Sequence, residues 1–215
     1  MSSRSLKRRR GLFAIVALLA ILIGAGPYFL FPTVRLLVHM QDISAIPKAQ
    51  WVDAHRYDQE WFDAARVGRV DILQALHEAH YPIDSQTSSG YTATILAAYD
   101  NQPEALDYLL SIGADACRGD HNGNTALMGA LYKGNLPIAQ RLLDAHCPID
   151  QTNNAGETAL SFAALFGRQD FMRELVARGA NPNHVDVRGD TPLAVVVKQG
   201  NDDTAALLRK LGAER

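Results

Sequence analysis

Apolar residues follow two patterns along the chain. From Gly11 to Val34 no charge interrupts them, and Leu12–Ile23 is almost wholly aliphatic and alanine. A run of about 20 apolar residues crosses a bilayer as a helix, so residues 11–34 are predicted to be a transmembrane helix. Beyond residue 58 the apolar runs are short and recur. A small-residue cluster such as Ala97-Ala98 or Ala163-Ala164 is followed by a breaker at Asn101, Gly134, Gly167 or Gly200. A second run then carries paired aliphatics: Leu109-Leu110, Leu142-Leu143, Leu175-Val176 and Leu207-Leu208. These predict two short helices per unit. Helices under about 12 residues are marginal alone, so packing between units must hold them.

The period is 33 residues. Gly90, Gly123, Gly156 and Gly189 are spaced by it, and each is followed two residues later by a threonine: Thr92, Thr125, Thr158 and Thr191. Threonine is a good helix N-cap, and Pro192 fits the first helical position after the last of them. Glycine closings at Gly113-Ala114-Asp115 and Gly179-Ala180-Asn181 read as helix stops. Two units have histidine there instead, His80 and His146, a residue tolerated in the left-handed region better than most. A fixed short period means stacked units rather than one globular core.

The phrase Gly-x-Thr-Ala/Pro-Leu, then paired aliphatics, then Gly-Ala-Asp/Asn resembles the ankyrin repeat. The resemblance implies an all-α solenoid of about five units over residues 58–215, the first and last incomplete. In the first unit Ala64-Ala65, Gly68 and Leu76 align with Ala97-Ala98, Asn101 and Leu109, and the opening hairpin is missing. The family's histidine is replaced throughout by Ile95, Met128, Ser161 and Ala194, which removes a family tie between neighbouring units.

The formal charge of −2 hides an asymmetry: residues 1–40 carry +6 and residues 57–215 carry −8. A folded part this acidic argues against nucleic acid as a partner. The basic flank 1–10, with Lys7-Arg8-Arg9-Arg10, should stay in the cytoplasm. The tether 35–57 and the repeats would then face the periplasm from the inner membrane. The alternative is a cleaved signal near Gly24-Ala25-Gly26 that leaves a soluble periplasmic protein, but Pro27 opposes cleavage there.

Candidate chemistry is sparse. Solenoids mostly bind, and no Walker loop, nucleophile triad or paired-carboxylate motif is present. No catalytic role, cofactor or metal is therefore expected. His77 and His80 share a helix spacing without a third ligand type nearby. Cys117 and Cys147 differ by three positions within the repeat. Units packed about 10 Å apart would leave them as free thiols, since a disulfide needs Cα atoms within about 7 Å. Trp51 and Trp61 are expected to cover the end of the stack.

The resemblance places the family's binding face on the exposed side of the first helices and on the hairpin tips. On the first helices this means Arg66, Tyr99, Asp100, Tyr132, Lys133, Leu165, Phe166 and Lys198, with Val67 and Gln199 beside them. On the tips it means Gln86, His121, Asn122, Asn154, Val187 and Arg188. Tyr99, Tyr132, Leu165 and Phe166 would make an aromatic and apolar stripe, as partner anchors do. The implied function is a membrane-tethered adaptor for a periplasmic protein, in bacterial relatives an oxidative-stress enzyme such as a catalase. The alternative is an immunity or inhibitor protein against a secreted toxin.

Overall fold

The computed structural model describes residues 54–214. The expected flank 1–10, the membrane span 11–34, most of the tether and Trp51 lie outside the described residues.

Among the described residues there are ten α-helices, one 3-10 turn and no strand. The turn Ala54–Tyr57 leads into five helix pairs: α1 (Asp58–Val67) and α2 (Val70–Glu78), α3 (Ala93–Tyr99) and α4 (Pro103–Ser111), α5 (Ala126–Lys133) and α6 (Leu136–Leu143), α7 (Ala159–Leu165) and α8 (Gln169–Ala177), α9 (Pro192–Lys198) and α10 (Asp202–Lys210). Each pair packs on itself, and each first helix packs on the next first helix along the series α1, α3, α5, α7, α9. No described helix is long and apolar enough to cross a membrane.

The repeated threonines start the first helices as expected. The hydroxyls of Thr92, Thr125, Thr158 and Thr191 accept the amides of Ile95, Met128, Ser161 and Ala194 at 3.2–3.4 Å. Ser161 bonds back to the Thr158 amide, so a capping box forms where the family has histidine. The alanines Ala97, Ala98, Ala130, Ala163 and Ala164 are buried between helices. Leu73, Leu109, Leu142, Leu175 and Leu208 form the core under the second helices. His80 and His146 do take left-handed backbone, at φ 65° and 58°. Trp61, in the first unit of the stack, is fully buried, its ring 5.0 Å from that of Tyr81.

The links between pairs share one turn. In each, a side-chain oxygen accepts two amides, two and four residues on: Thr87 from Ser89 and Tyr91, Asp120 from Asn122 and Asn124, Asn153 from Ala155 and Glu157, Asp186 from Arg188 and Asp190. The periodic glycine follows. Gly90 has φ 83°, and a Cβ there would stand 2.3 Å from the backbone nitrogen of His121 in the next link. Glycine is thus needed for the turn and for stacking the next turn on it.

The cysteines correct the free-thiol expectation. Cys117 and Cys147 form a disulfide with Cα atoms 5.4 Å apart. Residues in the same column of neighbouring units are a full repeat apart, but Cys117 stands three positions past the Cys147 column. Those three residues carry the chain off the end of α4 toward the next unit, and the offset closes the gap.

Candidate protein interface

The predicted first-helix residues all sit at helix C-terminal ends. Tyr99 and Lys133 end α3 and α5, Leu165 and Lys198 end α7 and α9, Arg66 lies in the last turn of α1, and Asp100 and Phe166 are C-caps. Because equivalent helix ends stack side by side, the side chains form a row across units.

The row is aromatic in its middle. Tyr99 and Tyr132 stack with centroids 5.9 Å apart and planes 13° apart. Phe166 meets Tyr132 edge-on at 5.0 Å. Phe162, which the column reading passed over, continues the row at 6.1 Å from Phe166. Its column neighbours Leu96, Gly129 and Val195 are not aromatic, so the repeat offered no signal for it. Lys133 places its ammonium 4.6 Å from the Tyr99 ring centre, a cation–π contact. Tyr99 and Tyr132 remain 36% and 45% exposed, while Leu165 and Phe166 are half-buried. Burial against these neighbours, with Tyr132 adding to it, holds the Tyr99 phenol above its ordinary pKa.

Leu165 leaves the row. With Phe162, Ser161, Pro192 and Val195 it lines a shallow recess between α7 and α9, rimmed by Glu157 and Arg188. The expected single stripe is therefore an aromatic row plus an adjoining recess.

Most charges on this face are paired. Arg66 faces Asp100 at 4.0 Å and Lys198 holds Asp190 at 2.6 Å. Arg188 bridges Asp186 and Glu157 at 2.6 and 3.3 Å. Pairs whose cations stand open to solvent add little stability, but the cations Arg66, Lys133 and Lys198 also suit the negative ends of their helices. Val67 and Gln199 are exposed beside them.

The tips divide by role. His121, Asn122, Asn154, Val187 and Arg188 are exposed. Their backbone joins successive turns: the His121 amide donates to Ser89, that of Asn154 to Asn122, and that of Val187 to Ala155. Gln86 is instead half-buried and bonds Gly90, Gly119 and Arg118, so it serves stacking. Ties between units also come from the polar residue after two of the breakers, which the repeat pattern did not reveal. Asn135 donates to the Ala98 and Tyr99 carbonyls, and Arg168 to those of Leu131 and Tyr132. These bonds satisfy helix-end carbonyls directly behind the aromatic row. Among the described residues no group of three His, Cys, Asp or Glu stands close enough to hold a metal ion.

Stacked helix pairs with a surface row of aromatics define a repeat scaffold of the kind that binds proteins. The chain belongs to the ankyrin-repeat family: the family model for ankyrin repeats (3 copies) matches residues 61–153 and 128–214. It is 27% identical over 190 residues to the ankyrin repeat protein YahD of Escherichia coli (strain K12), covering 70% of this chain and 94% of that one. Dauer abnormal formation protein 25 of Caenorhabditis elegans is 32% identical over 109 residues, half of this chain and 28% of that protein. L-asparaginase of Dirofilaria immitis is 28% identical over 138 residues, only 23% of the enzyme's length. The ankyrin repeat is typically a non-catalytic interaction module.

Proposed function

We propose that this protein is a non-catalytic adaptor that holds another protein against its aromatic row, tethered to the inner membrane with its repeats in the periplasm. The observation that carries the binding reading is the row itself. Tyr99, Tyr132, Phe166 and Phe162 span neighbouring units with their rings in contact, and the two tyrosines are open to solvent. Large, rigid rings bury area at small entropy cost and dominate interface energetics. A periplasmic enzyme that needs support under oxidative stress is the partner class we favour. The disulfide supports an oxidising compartment, and the basic flank and apolar run of residues 7–34 support export and anchoring.

The test is capture from the native host. The double variant Tyr99→Ala/Tyr132→Ala is expected to lose the partner that the unaltered protein retains, while its helical circular dichroism stays unchanged. His77→Ala is expected to retain it. Normal capture by the double tyrosine variant would move the interface to the tips around His121 and Asn154.

A further inference from the structure

Outside the aromatic face, the links carry a second ladder. One column of the repeat, 84, 117, 150 and 183, reads Asp, Cys, Asp, Asn. Three of its members reach forward to the segment that follows the next second helix and accept a backbone amide there. Asp84 accepts from Asp115 at 3.0 Å, Asp150 from Asn181 at 3.0 Å, and Asn183 from Glu214 at 2.9 Å. Donor and acceptor are separated by 31 residues each time. The fourth member, Cys117, has Pro148 at the equivalent donor position, and proline has no N–H. The rung that hydrogen bonding cannot make is where the disulfide to Cys147 stands.

We infer that the Cys117–Cys147 bond is a redox-controlled rung, which sets how firmly the α5–α6 pair is held in the stack. In the oxidised protein it ties the end of α6 to the link that precedes α5. A dithiol reductant would attack one sulfur, release the other as a thiol, and leave as its own disulfide. Two electrons and two protons pass to the cysteines. The two thiols cannot rebuild the rung, because Cys117 has no amide to accept and Pro148 none to offer. The Gln151 side chain still donates to the Cys117 carbonyl at 2.7 Å, and the tip bond from Asn154 to Asn122 persists. Loosening therefore centres on the end of α6 and the link that follows it. Both cysteines are partly exposed, so a reductant has access. The α5–α6 pair carries Tyr132 and Lys133. Oxidation state would thus regulate the middle of the aromatic row, a consequence that rests on the adaptor reading although the rung itself does not.

Hydrogen exchange read by mass spectrometry on the full-length protein in detergent tests the rung without any partner. With dithiothreitol, amides of residues 136–149 are expected to exchange about tenfold faster, with much smaller changes in residues 58–99. Cys117→Asp with Cys147→Ala, keeping Pro148, should be fast with or without dithiothreitol. Adding Pro148→Asn recreates the Asp150–Asn181 arrangement and should restore slow exchange that ignores the reductant. The inference is overturned if oxidised and reduced protein exchange alike, if dithiothreitol liberates no titratable thiol from the folded protein, if acceleration is even from α1 to α10, or if the triple variant is as fast as the reduced protein. Loss of partner capture by the tyrosine variant would leave each of these outcomes unaffected.

Discussion

Two positions set each link, the left-handed glycine and the side-chain acceptor before it, and each makes a prediction. Gly90 and Gly189 share left-handed backbone, at φ 83° and 84°, but differ in surroundings. A Cβ at Gly189 meets nothing within 4 Å, whereas at Gly90 it meets the His121 backbone. Gly189→Ala should cost about 1–2 kcal/mol, the left-handed penalty alone. Gly90→Ala should cost more, because the next turn must also shift, and urea denaturation of the pair reads the difference. Asp186 makes a pH prediction. Burial works to raise its pKa, but the Asp190 and Arg188 amides and the Arg188 guanidinium outweigh this and hold it below the ordinary carboxylate value. A depressed folded-state pKa contributes stability above the unfolded value, which is lost as pH falls through the folded one. The last link should therefore weaken below about pH 4. Asn153 makes the same turn with an amide side chain, so Asp186→Asn should flatten this part of the acid dependence in a pH series of thermal melts.

At the scale of elements, no helix among the described residues exceeds ten residues, so each owes its stability to its neighbours. Leu142 lies in the eight-residue α6 and is 2% exposed. Leu142→Ala should cost about 2–5 kcal/mol, read as a lower midpoint in urea. Because unit and interface terms add in a solenoid, the loss should uncouple both neighbouring pairs. A variant that melts like the unaltered protein would place Leu142 outside the core. Helix pairing, thread by thread, was readable beforehand: the threonine caps, the alanine contacts and the leucine core sit where the period put them. The ties through Asn135, Arg168 and Gln151 were not, since each belongs to a column whose residue changes from unit to unit.

For the whole molecule, the disulfide closes a separation of 30 residues around α5 and α6. By chain entropy such a loop stabilises the fold by about 3–4 kcal/mol, enough to matter for a stack of short helices that lacks the family histidine. The anchoring proposal is tested on the full chain. It should fractionate with the inner membrane, and a reporter active only in the periplasm should work when fused after Arg215. A mature soluble form beginning near residue 26 would instead indicate a cleaved signal.

The sequence by itself determined the periodic features, because each depends on a local requirement repeated every 33 residues: a left-handed glycine, a capping hydroxyl, a small residue between helices, a leucine beneath them. It also placed Tyr99, Tyr132 and Phe166 on one face, since the first two share a column and Phe166 belongs to the column beside it. What only the tertiary structure decided involves displacement between columns. Phe162 joins the aromatic row, and Leu165 turns into the recess, because a side chain reaches diagonally across a helix end. Cys117 meets Cys147 because three residues of link run along the stack. A repeat pattern records what lies in register between units, and these contacts are made out of register, where distance is set by how the chain travels from one unit to the next.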